Sequence, residues 1–200
     1  MQDEKSQRRS NRERTEATRA ALLDAARKLF VEKSYAETGT PEIVAAAGVT
    51  RGALYHHFAD KQALLRAVVE AESQAVADEI DRAAPKALSA RDALVRGGET
   101  FLEAMAVPGR TRLLLLDGPA VLGRAVMDEI DSRHANRTLK IGVEAAMQAG
   151  ALPSLPIDAL TAQLGAMFDR AALAIEAGAH PEDHRKVLAA VIDALVAAKS

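Results

Sequence analysis

Hydrogen-bonding side chains concentrate between residues 50 and 61, in a pattern that suits contact with DNA better than catalysis. If residues 51–57 form a helix, Leu54 and Phe58 lie four residues apart and face a core. The opposite face then carries small residues and hydrogen-bonding rings, but no carboxylate. Small residues let a helix backbone approach the floor of a groove, and Arg51 can make a bidentate contact with a guanine edge. The pattern predicts DNA contacts by Thr40, Thr50, Arg51, Gly52, Ala53, Tyr55, His56, His57 and Lys61.

These residues need two short helices and a tight turn to position them. Thr40 is predicted to cap the first helix, and Gly48 can end it in the left-handed conformation. Thr50 can cap the second helix, and Asp60 the helix that follows. Lys61 then lies where the helix dipole disfavours a cation, so we expect a DNA phosphate beside it. Helix pairs with this spacing also occur in proteins that do not bind DNA, so spacing alone leaves both interpretations open.

A family resemblance favours the DNA-binding interpretation. The segment GVTRGALYHHFADKQALL, residues 48–65, is similar to the signature of TetR-type transcriptional regulators, and the similarity extends from about residue 18 to about residue 70. The segment LLLLDGPAVLG, residues 113–123, resembles part of one subgroup of their regulatory domains. Ser34 departs from the family pattern, which commonly has glycine there. A serine with a positive φ would be mildly strained.

The resemblance implies an all-α fold of about nine helices and a homodimeric repressor. A small-molecule effector bound between C-terminal helices would release the dimer from a palindromic operator. A regulator that needs no ligand remains an alternative. An all-helical enzyme is a more distant one, because the sequence contains no Ser-His-Asp order and no glycine-rich phosphate loop. No cofactor is expected. His180 and His184 are four residues apart, but Pro181 places His180 outside the helix, so no metal site is predicted.

Amino-acid composition restricts the classes of protein and the cellular compartments that fit this sequence. Hydrophobic residues make up 48% of its 200 residues, enough for a substantial core, and the absence of cysteine excludes disulfides and thiolate metal sites. No signal peptide or apolar run of membrane length is present, so a cytoplasmic protein without a membrane partner is expected. The net charge of −2 argues against indiscriminate binding to nucleic acid. Any DNA contact must therefore be local.

Three regions are predicted along the chain. Residues 1–13 form a basic arm without regular structure, residues 14–60 a helix-turn-helix DNA-binding domain, and residues 61–200 a ligand-binding and dimerisation domain. Residues 5–19 carry six basic and two acidic side chains, so the arm is either a solubilising tail or a segment that follows phosphates. The first helix is predicted to begin near Thr15 or Thr18 and to end at Lys33.

The C-terminal part is predicted to contain several helices with wide apolar faces. A short helix over residues 110–116 should break at the sequence Asp-Gly-Pro, and a longer helical region should follow to about residue 149. Apolar residues at helical spacing are core packing or, by resemblance, the lining of an effector site. The candidate lining is Phe101, Met105, Leu113, Leu116, Met127, His134, Met147 and Phe168.

The last two helices, predicted over residues 157–177 and 181–198, carry the widest apolar stripes. Such a pair packs wholly on its own domain or meets a second copy in a two-fold four-helix bundle, and periodicity does not distinguish the two. The resemblance favours the dimer. Its predicted interface is Leu164, Phe168, Ala171, Val187, Val191 and Leu195.

Overall fold

The computed structural model describes the backbone of residues 2–83 and 88–198, and side chains from residue 12 onward within these ranges. The described chain is helical and contains no strand, which confirms the all-α prediction. Its helices are α1 (Gln2–Lys33), α2 (Thr40–Ala46), α3 (Arg51–His57), α4 (Lys61–Ala83), α5 (Ala90–Met105), α6 (Arg110–Arg112), a π-helical segment (Leu113–Asp117), α7 (Gly118–Leu122), α8 (Arg124–Arg133), α9 (Ala135–Gln148), α10 (Ile157–Glu176) and α11 (Pro181–Ala197).

The chain divides into two compact units, residues 1–70 and residues 71–200, and α4 contains the boundary. In the first unit, α1 packs against α2 and α3. Every helix of this unit contributes fully buried apolar side chains because its apolar residues recur at helical spacing on one face. The core of the first unit contains Leu22, Ala26, Phe30, Ile43, Leu54, Phe58, Leu64, Leu65, Val68 and Val69.

The first helix starts earlier than predicted. It begins at Gln2 instead of near Thr15 or Thr18, and the expectation of irregular chain before residue 14 is corrected. Residues 2–14 have no apolar period, but they contain no Gly, Pro or β-branched residue, and Gln, Glu, Lys and Arg favour helix. Arg12 Nε also donates to Glu16 Oε1 at 2.8 Å, one turn away. Whether the predicted arm contacts DNA concerns side chains of residues 1–11, which lie outside the described residues.

The corner after α1 is strained, as the sequence predicts. Ser34 has a φ of 85° and is the one non-glycine residue with a positive φ among the described residues. Its N–H donates to Phe30 O at 3.0 Å, and its carbonyl accepts from Thr38 Oγ1 at 2.7 Å. These bonds hold the serine in a backbone region that glycine adopts at lower cost.

In the second unit, α5 packs against α9, α10 and α11. Gly98 of α5 faces Phe168 of α10, and a Cβ at Gly98 would lie 2.4 Å from the Phe168 ring. Any side chain at position 98 would therefore force the Phe168 ring to move. The packed helices bury Leu94, Leu102, Met105, Val143, Ala146, Leu164, Phe168, Leu188 and Ile192.

The segment from α6 to α7 is helical throughout, which corrects the predicted break at Asp-Gly-Pro. Leu113–Asp117 forms a π-helical turn in which the Gly118 N–H donates to Leu113 O. Pro119 lies in the first turn of α7, directly after the wider turn, where a helix tolerates a residue without an N–H. A Cβ on Gly118 would lie 2.8 Å from Leu113 O, so this turn also needs its glycine. The region that follows is interrupted at Gly123 and His134. With α6 to α7 counted as one continuous helix, the described chain has ten helices instead of about nine.

A buried ion network joins α4, α5 and α6. Arg110 Nε donates to Glu72 Oε2 at 2.8 Å, and its Nη1 donates to Glu79 Oε1 at 3.0 Å and to Ala104 O at 2.7 Å. The Arg110 side chain is only 7% exposed. A guanidinium buried at this depth is tolerated because its donors meet carboxylate and carbonyl acceptors.

Replacing Arg110 tests this network. Arg110→Ala removes the cation that faces two carboxylates, so the free energy of unfolding should fall by about 3 to 5 kcal/mol. Lys140→Ala is the control, because Lys140 pairs with Asp158 at a surface where the Asp158 side chain is 84% exposed, and it should have little effect. Urea unfolding measures both. Equal effects of the two substitutions would show that the buried network does not stabilise this unit.

Candidate nucleic-acid interface and ligand cavity

The α2–α3 pair has the geometry that the sequence predicts for a helix-turn-helix. Gly48 has a φ of 65°, and the Val49 N–H donates to Val44 O at 3.0 Å, which closes α2. Thr50 then caps α3, because its Oγ1 accepts the Ala53 N–H at 3.1 Å. Leu54 is fully buried and anchors α3 on its inner side.

The start of α2 differs from the prediction. Its N-cap is Gly39, and Thr40 is the first helical residue. The Glu42 carboxylate makes this cap possible, because it accepts the Gly39 N–H at 3.2 Å and the Lys33 ammonium at 2.6 Å. The Thr40 hydroxyl therefore does not cap α2 and donates instead to the Tyr55 phenol.

The outer surface of α3 presents the predicted DNA-contacting residues in a definite arrangement. Arg51, Gly52, Tyr55 and His56 are exposed, whereas Ala53 and His57 are half-buried. The Arg51 guanidinium carbon lies 5.5 Å from the centroid of the Tyr55 ring. Hydrogen bonds from Arg51 and then from Thr40 lower the pKa of the Tyr55 phenol. Tyr55 therefore orients Arg51 at the surface.

The His57 imidazole has a lowered pKa. Burial lowers the pKa of His57, and the charges of His56 and Arg19 lower it further. His57 is therefore neutral at pH 7, so it can donate one hydrogen bond but adds no positive charge to this surface.

Lys61 has partners within its own chain. Its Nζ donates to Tyr35 O at 2.9 Å and to Thr38 O at 3.0 Å, and lies 4.2 Å from the Tyr35 ring centroid. Backbone carbonyls therefore already compensate the Lys61 cation within the chain, and the predicted phosphate contact stays a prediction. Lys61 fastens the start of α4 to the corner between α1 and α2.

A substitution at Lys61 separates this structural role from DNA binding. Lys61→Ala removes two charge-assisted hydrogen bonds and should lower the free energy of unfolding by about 1 to 3 kcal/mol. If Lys61 also contacts a phosphate, the slope of log DNA affinity against log salt should decrease in magnitude by about one. Lys28→Ala, which removes a 65% exposed lysine from the same unit, is the control. Unchanged stability in Lys61→Ala would contradict the structural role.

A cavity of about 240 Å³ lies in the second unit, lined by α4, α5, the π-helical segment, α8, α9 and α10. Three of the eight predicted lining residues reach it: Phe101, Met105 and Phe168. The other five do not, which corrects the predicted site. Leu113, Met127 and His134 are buried outside the lining, Met147 is half-buried, and Leu116 is 50% exposed. The π-helical turn explains Leu116, because its extra residue per turn rotates Leu114 and Leu115 to the cavity instead.

The prediction missed the polar part of the lining. The cavity wall includes Ser73, Thr100, Asp131 and Asp169, none of which stands out in an apolar stripe. Burial raises the pKa of Asp131 to about 6, and Asp128 contributes to this rise. Burial also raises the pKa of Asp169 to about 6, and the charge of Asp131 is the second cause of this rise. Arg124 lowers the pKa of both aspartates and so opposes the two shifts. Their positions depend on interhelical packing, which no local pattern reveals.

The predicted dimer residues divide between the inside and the outside of the unit. Leu164, Phe168 and Ala171 are 4%, 6% and 3% exposed and pack mainly within their own chain, although Ala171 also lines a shallow depression on the surface. Val187 is 60% exposed, and Val191 and Leu195 are half-buried. The exposed surface of α10 and α11 has a shallow depression whose lining includes Gln163, Met167, Arg170, His184 and Val187. The wide apolar stripe of α10 is thus mainly its inner face.

Two further expectations concern metals and membranes. His180 is the N-cap of α11 and lies outside the helix that contains His184. Residues 2–83 and 88–198 hold no group of three or more His, Cys, Asp or Glu side chains placed to bind a metal ion. Within the same ranges, no helix combines the length and the apolar character needed to cross a membrane.

Comparison with known proteins assigns this fold to a family. Residues 22–68 match the profile described as bacterial regulatory proteins of the tetR family, and residues 91–198 match that of the tetracyclin repressor-like C-terminal domain. The chain belongs to the TetR family. Members of this family are DNA-binding transcriptional regulators, not enzymes. The second match extends the TetR assignment to more than half of the chain, beyond the helix-turn-helix itself.

Individual relatives agree with the family assignment. The transcriptional regulator AcrR of Shigella flexneri is 42% identical over 62 residues, which cover 31% of this chain and 29% of AcrR. The alignment thus spans less than a third of that curated relative. A TetR-family regulator from Pectobacterium atrosepticum, known from a crystal structure, is 32% identical in sequence. The structural match covers 92% of this chain and 94% of the Pectobacterium chain, with a TM-score of 0.72. RolR, solved with the ligand resorcinol, is 22% identical over 90% of this chain and 87% of its own, with a TM-score of 0.64.

Proposed function

We propose that this TetR-family protein is a homodimeric repressor that reads a palindromic operator with α3 and leaves it when a small molecule binds in the second unit. The exposed face of α3 carries this proposal. It presents Arg51 beside Gly52, Tyr55 and His56, and the helix contains no carboxylate. We assign residues 14–60 to DNA binding, residues 61–200 to ligand binding and dimerisation, and residues 1–13 to a basic arm.

Arg51 is the proposed base-reading residue. It is exposed at the first position of α3, and the contact with Tyr55 supports its guanidinium without a carboxylate that would compete with DNA. Gly52 and Ala53 allow the backbone to approach the groove. Thr40, Thr50, Tyr55, His56, His57 and Lys61 are proposed to contact phosphates or to position the helix.

The length of α3 supports a dimer. Seven residues form only two turns and read a few base pairs, too few for selective binding in a genome. Two copies whose reading helices lie about 34 to 36 Å apart, or a multiple of this, would read successive turns of one face of the duplex. Each half-site would then be the inverted repeat of the other.

We place the dimer contact on the outer face of α10 and α11. This face includes Gln163, Met167, Arg170 and Val187, with Val191 at its edge. The inner residues Leu164, Phe168 and Ala171 support it from within the protomer. An exposed valine beside Met167 is an apolar surface that a second copy would remove from water.

The cavity in the second unit is the proposed effector site. Its wall includes Phe101, Met105 and Phe168, and the ligand in the related RolR structure supports small-molecule binding by this fold. α4 provides the connection to DNA binding, because it carries Lys61 near its start and Ser73 and Val76 at the cavity. A ligand acts only by binding one arrangement of α4 more tightly than another, so the proposal requires different affinities with and without DNA.

Substitutions at Arg51 test the DNA-binding proposal. On an operator selected from genomic fragments by the wild-type protein, Arg51→Ala should lose about 1 to 3 kcal/mol of discrimination at one or two base pairs of each half-site. Arg51→Lys keeps the charge but not the planar fork, so it should lose discrimination with nearly unchanged salt dependence. Competition binding to single-base operator variants measures both. A uniform loss of affinity for every variant would contradict base reading by Arg51.

A charge on the α10–α11 face tests the dimer. Val187→Asp should place an unpaired carboxylate in the interface and weaken association by several kcal/mol. The variant should sediment as a monomer and lose operator binding while its helix content stays unchanged. Leu155→Asp introduces the same charge at a 41% exposed leucine away from this face and should remain dimeric. A dimeric Val187→Asp protein would move the interface to the helices between residues 119 and 149.

A further inference from the structure

Two acidic side chains line an otherwise largely apolar cavity in the second unit. Asp131 belongs to α8 and Asp169 to α10. Both line the cavity that Phe101, Leu114 and Phe168 also line. The charge of Asp131 adds to the rise in the pKa of Asp169, because like charges in a partly desolvated place disfavour ionisation.

The cavity wall also contains hydroxyl groups without partners. Ser73 is 2% exposed and Thr100 is 6% exposed, and neither Ser73 Oγ nor Thr100 Oγ1 has a hydrogen-bond partner within the described structure. Both residues line the cavity. Buried hydroxyls are usually satisfied, so these two leave unused hydrogen-bonding capacity in residues that line the cavity.

The cations near the cavity are already engaged elsewhere. Arg96 lines the wall, but its Nη1 lies 3.4 Å from Glu99 and 3.6 Å from Glu103. Arg124, which opposes the pKa shifts of both aspartates, is 82% exposed and lies 3.1 Å from Asp128. The remaining charged groups that face the aspartates or the cavity are His134, which lowers the pKa of Asp131, and Asp81, which pairs with Arg137 at 3.4 Å.

We propose that the effector of this protein is an amphipathic organic cation. Its apolar body would fill the space between Phe101, Leu114 and Phe168, and its cationic group would lie against Asp131 and Asp169, with Ser73 and Thr100 as further polar contacts. The proposal deepens the proposed function, because it rests on this cavity being the effector site. An organic anion of the same shape is disfavoured by two carboxylates in a site of low polarity.

The carboxylates also make binding dependent on pH. With pKa values of about 6, both aspartates are mainly ionised at pH 7.5 and mainly protonated at pH 5. A cation prefers the ionised forms, so its affinity should rise from pH 5 to pH 7.5 and its binding near pH 6 should release protons. A neutral ligand should show no comparable rise.

Three ligands that share an alkyl chain but differ in the charge of the head group test the proposal: octylammonium, octanoate and octanol. Isothermal titration of the full-length protein at pH 7.5 should give at least about tenfold tighter binding of octylammonium than of octanoate. The variant Asp131→Asn with Asp169→Asn should lose this preference and keep its affinity for octanol. The control variant Asp158→Asn with Asp183→Asn removes the same formal charge at exposed positions outside the cavity and should keep the preference.

The three ligands separate failure of this inference from failure of the proposed function. Octanol binding with equal or tighter binding of octanoate would overturn the cation proposal and leave the effector site intact. A preference for octylammonium that survives in the Asp131→Asn, Asp169→Asn variant would also overturn it. Absence of binding by all three ligands would contradict the cavity as an effector site, and the cation proposal with it. Retained octanol binding shows that the double variant is folded.

Discussion

The guanidinium of Arg110, buried between Glu72 and Glu79, is the interaction on which the second unit most depends. Its donors also reach Ala104 O, so the C-terminal half of α4 is held at one register against the end of α5 and the start of α6. If α4 slid by one residue, buried charges would lose their partners, and this costs more than the pairs themselves contribute. The network therefore favours this position of α4 over intermediate ones, in which the charges would be unpaired. A helix with discrete positions is what a ligand-dependent switch requires.

Lys61 performs a similar task at the other end of the same helix. It binds two backbone carbonyls of the α1–α2 corner, next to the strained Ser34, and so ties the start of α4 to the corner that precedes α2. The cavity wall takes Ser73, Val76 and Ile80 from α4, beyond this anchor. The same helix, α4, thus has contacts that matter for both proposed DNA binding and proposed ligand binding. The coupling proposed between ligand and DNA needs no further connection than this helix.

The sequence predicted well those features that local interactions determine. Gly48, Thr50 and Leu54 specify the turn, the cap and the buried side of α3 within a few residues of each other, and all three behave as expected. The cap of α2 was misplaced by one residue, because the choice between Gly39 and Thr40 depends on Glu42 being held by Lys33 from α1. The π-helical turn was missed for a similar reason. Its wider ring pairs the Gly118 N–H with Leu113 O and is followed by Pro119 in the first turn of α7, whereas residue propensities treat the two only as helix breakers.

Side-chain environments that arise from packing between helices were beyond the reach of the sequence pattern. Phe168 was predicted both to line a ligand site and to hold a dimer, because a wide apolar stripe does not reveal which side faces inward. In the structure it contacts Gly98 and Phe101 and is 6% exposed, so it belongs to the cavity and the core. Asp131 and Asp169 are 38 residues apart in the chain, and only the packing of α8 against α9 and of α9 against α10 brings both to one cavity. Their chemistry could be recognised only from the structure.

The measurement that most directly tests the proposed reading of DNA uses the absence of cysteine from the chain. His56→Cys, labelled with a DNA-cleaving iron chelate, places one reporter on the exposed face of α3. We expect two clusters of cleavage on the operator, related by a two-fold axis and separated by about 34 to 36 Å or a multiple of this distance. The same label on Glu182→Cys, at the start of α11, should not cleave at those positions. A single cluster, or an identical pattern from both labels, would contradict a dimer that reads successive turns of the duplex with α3.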